Sequence, residues 1–436
     1  MSESPTAVSL FSSGGIGDIA LHAAGVRTLV ASEILAERAA LFQQNFPEAT
    51  LVVGDIWQTA SKIISTAESR LRGGELDIIF ATPPCQGMSK NGRGKLLQGI
   101  RAGRKPTLDV RNQLMLPTLD VVTALRPKVF VVENVPEMEQ TIILSRDGRY
   151  IGLLDLIDEI LTPLGYTGRS SVIEFADYGV PQRRQRLITV FSRIPSVQAA
   201  FLTKQWLPQP THAKRPSLLE KPWITVEQTI GHLPPLDAGS PQTAKSEIPL
   251  HRVPLLDESK YFWVSNTPPG GGAFDNQCVA IDCGYDGNAT HGNQRSAGGI
   301  NQSSKTTPVR CQKCGSLLPR PWVIRDGEHC LMSGFTSAYK RMRGDLPASA
   351  LTRNLSYACS DQKLHPTQNR VLSLYEACLI HTIDENQYSW IRADGGRVSD
   401  KLIRDVIGES IPPLGLKAIF DHILGLVRTD RMLSAA

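Results

Sequence analysis

The feature that most constrains the fold is the alternation of short apolar stretches with helix-like stretches through residues 1–193. Apolar runs predict strands at Ala7–Phe11, Thr28–Ser32, Leu51–Val53, Leu76–Ala81, Val129–Glu133 and Arg186–Phe191. Helical spacing between these runs predicts helices at Asp18–Ala24, Ile34–Asn45, Leu114–Leu125 and Ile151–Leu161. Because strands that alternate with helices pair through crossover connections, this order predicts an α/β fold with a doubly wound, Rossmann-like sheet.

The composition changes after residue 193, which indicates a second domain. Residues 194–345 are rich in Pro, Gly, Asn, Gln and Ser and show little helical periodicity, so we predict a smaller, irregular, β-rich domain. Residues 346–436 are predicted to complete that domain and return to the first one. Helical spacing there reappears at Arg370–Ile383 and at a closing helix over Leu416–Leu426. A length of 436 residues is enough for two or three such units.

Charge and hydropathy bear on whether the protein binds nucleic acid, crosses a membrane or is secreted. The net charge of +5 is mildly basic, which suits a nucleic-acid partner and equally suits an ordinary solvated surface. No uninterrupted apolar stretch is long enough to cross a membrane, and the first residues lack the pattern of a secretory leader. We therefore expect a cytoplasmic protein with no membrane partner, whose eight cysteines are reduced.

Features at the ends of the first three predicted strands suit a nucleoside cofactor. The turn after the first strand contains Gly14, Gly15 and Gly17, and glycine lets a backbone turn sharply beside a ligand. Glu33 ends the second strand, where a carboxylate can accept hydrogen bonds from ribose hydroxyls. Asp55 follows the third strand and can accept from an adenine amino group. These features do not distinguish NAD from S-adenosylmethionine, and a glycine-rich turn is also common without a ligand.

Reactive residue types lie at the ends of later strands, at the same edge of the predicted sheet. Cys85 follows two prolines, which stiffen the loop and fix the direction of the thiol. Glu133 ends an apolar strand, where burial raises the pKa of a carboxyl group and suits it to act as an acid. Alternation places Arg184 and Arg186 on one face, where two guanidinium groups can hold a phosphate or carboxyl group. The structural alternatives are an inert buried cysteine, a helix cap or ion pair, and a solvated basic strand.

Four cysteines in the second domain have the spacing of a zinc site. They are Cys278 and Cys283, separated by four residues, and Cys311 and Cys314, separated by two. Gly315 permits the tight turn of a zinc knuckle, and a bound metal would support a region that has little apolar core. We predict that the four thiolates bind one Zn²⁺. His291 and Cys330 are alternative ligands, and four free thiols are the simpler alternative.

In order and spacing, these motifs resemble the DNA (cytosine-5)-methyltransferase family. The resemblance rests on Pro84-Cys85-Gln86, Glu133-Asn134-Val135 and Gln182-x-Arg184-x-Arg186. Further matching positions are Asp109–Leu114, Arg343, Pro347, Thr352, His365–Pro366 and Arg370–Ser373. Trp223–Val226 and Leu233–Pro235 resemble the stretch that opens the family's target-recognition region, so the resemblance implies that residues 194–345 are the target-recognition domain. The chain departs from the family pattern at Ser13 and Ile16, where glycine is usual, and at Glu409, where asparagine is usual.

The resemblance implies an S-adenosylmethionine-dependent enzyme that methylates carbon 5 of a cytosine flipped out of duplex DNA. Cys85 would attack carbon 6 of the ring, and Glu133 would bond ring nitrogen 3 and the exocyclic amine. Arg184 would hold the base, and Arg186 would support the loop. The implied cofactor contacts are Phe11, Gly14, Gly15, Gly17, Glu33, Ile34, Asp55, Ile56, Pro84 and Leu114.

A basic, glycine-containing segment after Cys85 suits contact with DNA phosphates. The implied DNA contacts are Gln86, Ser89, Lys90, Arg93, Lys95, Arg101 and Arg104. We expect a monomer whose partners are double-stranded DNA and other proteins of a restriction–modification or phage-defence system. The alternatives are an RNA cytosine methyltransferase with the same chemistry, and a non-catalytic DNA-binding protein that has kept the fold.

Overall fold

A computed structural model describes residues 4–84, 110–290, 294–295, 301–302, 307–333 and 337–434. Several predicted site residues lie outside this range and have no structural description. They are Cys85, Gln86, Ser89, Lys90, Arg93, Lys95, Arg101, Arg104 and the alternative metal ligand His291.

A seven-stranded sheet organises the first half of the chain. Its strands are β1 (Thr6–Leu10), β2 (Arg27–Glu33), β3 (Thr50–Val53), β4 (Ile78–Ala81), β5 (Val129–Asn134), β6 (Thr167–Glu174) and β7 (Gln185–Ser192). Their order across the sheet is β3-β2-β1-β4-β5-β7-β6, and β7 alone runs antiparallel to its two neighbours. The predicted doubly wound α/β fold is confirmed, and each predicted strand lies within two residues of an observed one.

Eleven α-helices accompany the sheet in the part of the chain that the structure describes. They are α1 (Ile16–Ala23), α2 (Ala36–Asn45), α3 (Ile56–Leu71), α4 (Met115–Leu125), α5 (Leu153–Leu161), α6 (Pro195–Thr203), α7 (Val226–Ile230), α8 (Glu258–Ser265), α9 (Leu374–Ile380), α10 (Asp400–Glu409) and α11 (Pro413–Ser434). Helix α3 and strand β6 were not predicted. Helix α3 is amphipathic and buries Ile56, Ile63 and Ala67, so its helical spacing was visible in the sequence and was overlooked. Strand β6 is a half-exposed edge strand with a polar sequence and carries a weak periodic signal.

The rest of the chain has only short strands, in keeping with the irregular domain that was predicted. The paired segments are Ile142–Leu144 with Tyr150–Gly152, Gln182–Arg183 with Ala348–Ser349, His212–Ala213 with Lys221–Pro222, Gln294–Arg295 with Asn301–Gln302, and Trp322–Arg325 with Glu328–Leu331. Helices α6, α7, α8 and α10 were not predicted. The helical spacing at Arg370–Ile383 yields the shorter α9, because Ser373 and Glu376 form a capping box that starts the helix at Leu374.

The C-terminal helix α11 packs against the face of the central sheet. Ile419, Phe420 and Ile423 are fully buried in one apolar cluster with Ile78 and Phe80 of β4. The rings of Phe80 and Phe420 meet edge to face, with centroids 5.3 Å apart. The last described helix therefore belongs to the core of the first half of the chain.

Within the described residues, no single helix has the length and apolar composition to cross a membrane. One bent pair, Asp400–Glu409 with Pro413–Asp430, would meet that criterion by length and composition together.

Candidate active site

A cavity of about 700 Å³ lies at the carboxyl edge of the sheet, where β1, β2, β3, β4 and β5 end. Such edges are where open α/β sheets bind ligands. The predicted cofactor contacts that line it are Phe11, Gly17, Glu33, Ile34, Asp55, Ile56, Pro84 and Leu114. Glu133 and Arg186 line the same cavity. A second cavity of about 1070 Å³ lies around Leu250 and Tyr388, and none of the predicted site residues lines it.

Glu33 fixes the shape of the turn that follows β1. Its carboxylate accepts a hydrogen bond from the backbone N–H of Ser13 at 2.9 Å and another from that of Leu35 at 2.8 Å. Phe11 and Ser13 adopt left-handed backbone conformations, with φ of 60° and 50°. Positive φ is unfavourable for residues with a side chain, so the Glu33 bond to Ser13 holds a strained turn against the cavity.

Two of the three glycines in this turn serve packing and do not line the cavity. A β-carbon on Gly15 would lie 2.4 Å from the Phe46 ring, and one on Gly14 would lie 2.9 Å from the Tyr388 hydroxyl. Gly15 also has a φ of 86°, which favours glycine. The sides of Gly14 and Gly15 that would carry a side chain face the core, and a cofactor contact by their backbone stays a prediction. Gly17 does line the cavity.

Asp55 and its neighbours form the far wall of the cavity. The Asp55 carboxylate caps helix α3 by accepting from the backbone N–H of Trp57 at 3.0 Å. Ile56 is buried, whereas Ile34 is 60% exposed. An exposed isoleucine beside two carboxylates gives this wall an apolar surface next to hydrogen-bond acceptors, which suits a flat, polar-edged ring.

Glu133 and Arg186 form an ion pair inside the cavity. The carboxylate oxygen Oε1 of Glu133 lies 2.9 Å from Nε of Arg186, and Glu133 is only 6% exposed. Burial raises the pKa of Glu133, and the positive charges of Arg186 and Arg184 oppose that rise. Glu133 is thus a buried carboxyl group with a raised pKa at the wall of the cavity.

Asn134 positions the segment that leads to Cys85, a role that sequence reasoning missed. Its side-chain amide donates to the carbonyl oxygen of Pro83 at 3.1 Å, and its own oxygen accepts from the N–H of Val135 at 2.8 Å. Pro84 lines the cavity and directly precedes Cys85 in the sequence. The end of β5 therefore fixes Pro83, which lies two residues before Cys85 in the sequence.

The structure corrects the expectation for Arg184. Its side chain is 2% exposed and does not line the cavity. Its guanidinium donates to the carbonyl oxygens of Leu351 at 2.8 Å, Gly408 at 3.1 Å and Ser410 at 2.7 Å. Arg184 ties the start of β7 to two distant segments, whereas Arg186, which was expected to support the loop, lies beside Glu133. The partners of Arg184 are far away in the sequence, so no local pattern could have revealed them.

Glu409, which departs from the family pattern, joins two halves of the cavity wall. Its carboxylate lies 2.6 Å from Arg38 of α2 and 3.2 Å from Arg353. Arg353 also pairs with Asp405 at 3.0 Å. All of these side chains line the cavity, so part of its wall is a network of paired charges.

Asp18, beneath the glycine turn, is a buried carboxyl group that gives the protein a distinctive pH dependence. It accepts hydrogen bonds from Ser9 Oγ at 2.9 Å and Thr28 Oγ1 at 3.0 Å. Burial raises its pKa from 3.8 to about 7, and the two hydroxyl bonds only partly oppose this. Because the folded state then binds the proton more tightly than the unfolded chain, Asp18 makes the protein less stable as the pH rises between these two values.

We expect Asp18→Asn to remove this loss of stability. From about pH 5 to about pH 8, the free energy of unfolding of the variant should rise relative to wild type by about 2 to 3 kcal/mol. Denaturant unfolding of both proteins at the two pH values measures the difference. Equal pH dependence of the two proteins would contradict the burial of a titrating Asp18.

The four predicted metal ligands converge in the second half of the chain. The sulfur atoms of Cys278 and Cys314 are 3.7 Å apart, and those of Cys283 and Cys311 are 3.9 Å apart. All four sulfur atoms lie within 4.8 Å of one another. Cys330 does not belong to this group, which is the only such cluster found among the described residues.

Comparison with known proteins agrees with this architecture. The sequence pattern of the family described as C-5 cytosine-specific DNA methylase matches residues 6–425. The Type II methyltransferase M1.HgaI of Avibacterium volantium is 27% identical over 428 residues, which cover 95% of this chain and 97% of that protein. The Type II methyltransferase M.AquIA of Picosynechococcus sp. is 33% identical over 265 residues, which cover 56% of this chain and 97% of that protein.

A solved structure shares the fold. The Dnmt2 methyltransferase of S. pombe is similar with a TM-score of 0.54 at 11% identity, covering 97% of this chain and 99% of that one. At this identity the likeness concerns the fold alone. The family pattern, however, spans nearly the whole chain and both parts of the structure. The chain therefore belongs to the C-5 cytosine-specific DNA methylases, enzymes that methylate carbon 5 of cytosine in DNA.

Proposed function

We propose that the protein methylates a flipped cytosine in duplex DNA through a covalent bond between Cys85 and the base. The observation that carries this proposal is the buried Glu133–Arg186 pair, which lines the same cavity as Pro84, the residue before Cys85. A buried acid next to a nucleophile is what cytosine requires, because carbon 5 of the ring is a poor nucleophile until carbon 6 carries an added group.

Glu133 and Cys85 activate the cytosine ring together. The Cys85 thiolate forms a bond to carbon 6, while Glu133 gives its proton to ring nitrogen 3, so that the electrons of the double bond become available at carbon 5. Burial keeps Glu133 protonated to a higher pH than an exposed carboxyl group, which suits this role. After carbon 5 has been methylated, a base removes its proton, the sulfur–carbon bond breaks, and nitrogen 3 returns its proton to Glu133.

Arg186 orients Glu133, and Arg184 supports the site through hydrogen bonds to backbone carbonyl groups. The 2.9 Å contact with Nε of Arg186 leaves the second carboxyl oxygen of Glu133 available to a bound base. The bonds of Arg184 to Leu351, Gly408 and Ser410 fix the strand on which Arg186 stands. We therefore assign Arg184 as a positioning residue and Arg186 as a catalytic one.

The cavity residues fit S-adenosylmethionine, the methyl donor that the family uses. Glu33 still has acceptor capacity for ribose hydroxyls after bonding Ser13 and Leu35, and Asp55 can accept from an adenine amino group. Ile34 and Ile56 offer apolar contact beside these carboxylates. Arg38, Arg353 and Glu409 present both signs of charge, as the ammonium and carboxylate groups of an amino acid require. When bound, this cofactor supplies the methyl group.

The proposed biological setting follows from the family. We propose that Gln86, Ser89, Lys90, Arg93, Lys95, Arg101 and Arg104 contact DNA around the flipped base. We also propose that the protein acts as a monomer in the cytoplasm within a restriction–modification or phage-defence system, and that Cys278, Cys283, Cys311 and Cys314 hold Zn²⁺. The share of the chain aligned with M1.HgaI supports a Type II enzyme.

Methyl transfer to a panel of nucleic acids tests this function. We expect labelled methyl from S-adenosylmethionine to appear on carbon 5 of cytosine in unmethylated duplex DNA and not in RNA. Label in RNA alone would favour the RNA methyltransferase. Cofactor binding without transfer to either polymer would contradict the proposed reaction, and absence of both would favour a non-catalytic DNA-binding protein.

A further inference from the structure

The four cysteine sulfur atoms have the spacing of a tetrahedral metal site. A zinc–sulfur distance of about 2.3 Å places neighbouring sulfur atoms of a regular tetrahedron about 3.8 Å apart. The two measured pairs, at 3.7 Å and 3.9 Å, lie on either side of that value. The backbone N–H of Lys313 also points to the sulfur of Cys311 at 3.5 Å, as is usual in a knuckle that holds a thiolate. Four soft donors with this geometry fit Zn²⁺.

The region around the thiols has little apolar core of its own. Its buried cluster consists of Cys278, Cys311 and Leu318, and two of these three side chains belong to the group of four thiols. The neighbouring side chain of Ile281 is fully exposed. Burial of so small a cluster stabilises the segment by only a few kcal/mol, which does not offset the conformational entropy of ordering it. A metal that joins the two cysteine pairs can make up that difference.

Arg320 ties together the same two stretches of chain by hydrogen bonds. The buried guanidinium donates to the carbonyl oxygens of Asn276 at 2.7 Å, Ala289 at 2.8 Å and Pro308 at 2.9 Å. Ala289 and Pro308 stand on either side of residues 290–307 in the sequence. Asn276 in turn donates to the carbonyl oxygen of Pro319 at 2.6 Å, next to Arg320 itself.

The thiols and Arg320 therefore join the same two stretches of chain. The cysteine pairs join residues 278–283 to residues 311–314, and Arg320 joins residues 276 and 289 to residue 308. None of these residues lines the cavity that contains Glu33 and Glu133. The metal site and the methyl-transfer site are thus separate parts of the molecule.

We propose that Zn²⁺ at the four thiols is a structural staple that, together with Arg320, holds residues 276–289 against residues 308–320 in the orientation that the predicted target-recognition domain needs to bind DNA. Affinity for DNA then depends on the metal, whereas affinity for S-adenosylmethionine does not. The DNA part of this inference rests on the proposed function, and the metal part stands without it.

Metal content and two affinities of the full chain test the proposal. We expect about one zinc per chain in the wild-type protein and in Cys330→Ser and Cys359→Ser, whose cysteines lie outside the group of four. The double variant Cys311→Ser and Cys314→Ser should contain none. It should bind a duplex that the wild type methylates at least about tenfold more weakly, with S-adenosylmethionine affinity changed less than about twofold.

Chelation of zinc from the wild-type protein distinguishes loss of the metal from misfolding of the variant. Removal of zinc should weaken DNA binding by the same factor, and addition of zinc should restore it. A wild-type chain that contains no zinc would overturn the metal site whether or not the protein methylates DNA. A zinc-containing chain whose DNA affinity survives chelation of the metal would overturn the staple and leave the methyltransferase proposal intact.

Discussion

Replacing Glu133 by glutamine is expected to lower kcat for methyl transfer by about 10²- to 10⁴-fold. Glutamine has nearly the same shape and can still accept a hydrogen bond from Arg186, so the wall of the cavity should persist. What is lost is the proton that Glu133 gives to ring nitrogen 3 when sulfur adds to carbon 6. Single-turnover measurement of methyl transfer, with enzyme in excess over DNA, reports this step without interference from product release.

The matched control for this variant is Glu139→Gln. Glu139 lies on the short helix that follows β5, is exposed and does not line the cavity. The single-turnover rate of the Glu139→Gln variant should stay within about twofold of the wild-type rate, as expected for a surface substitution. The affinities of Glu133→Gln for cofactor and DNA should change far less than its rate. A single-turnover rate for Glu133→Gln close to that of wild type would exclude Glu133 as the proton donor.

Replacing Cys85 by serine is expected to reduce methyl transfer by about 10³-fold or more, to the limit of detection. A serine hydroxyl has almost no ionised form at neutral pH, whereas a thiol near basic groups is readily ionised and is intrinsically more nucleophilic. Because the cavity walls are built by other residues, cofactor binding should persist. Calorimetric titration of S-adenosylmethionine together with the transfer assay separates these two effects.

Cys359→Ser is the control for the loss of a thiol. Cys359 is exposed and belongs to neither the cavity nor the group of four thiols. This variant should retain wild-type activity. A Cys85→Ser protein that still methylates DNA at a substantial fraction of the wild-type rate would show that the reaction does not need a sulfur nucleophile.

The sequence located the strand ends that build the cavity but not the contacts that hold it. Glu33, Asp55 and Glu133 could be placed at one edge because the carboxyl ends of parallel strands meet there whatever the loops do. The role of Arg184 could not be predicted, since its partners Leu351 and Ser410 come from segments that only the folded chain brings together.

Several contacts that shape the site join residues that are distant in the sequence, so the spacing of motifs could not predict them. The glycine-rich turn was visible in the sequence, but the Phe46 ring that leaves no room for a side chain at Gly15 was not. Glu409 departs from the family pattern, and its ion pairs with Arg38 and Arg353 come from segments that are distant in the sequence. The cysteine group was predictable because the ligand spacing of a zinc knuckle is local in the sequence. The bonds of Arg320 to Ala289 and Pro308 were not, because they join distant residues.

The most direct test of the covalent mechanism is capture of the enzyme on DNA that contains 5-fluorocytosine in place of cytosine. Once carbon 5 carries both fluorine and a methyl group, it has no proton to lose, so the bond between sulfur and carbon 6 cannot break by elimination. With S-adenosylmethionine present, the wild-type chain should form a complex with this duplex that survives denaturing electrophoresis, and Cys85→Ser should form none. A wild-type chain that methylates ordinary cytosine but leaves no such complex would contradict the covalent role of Cys85.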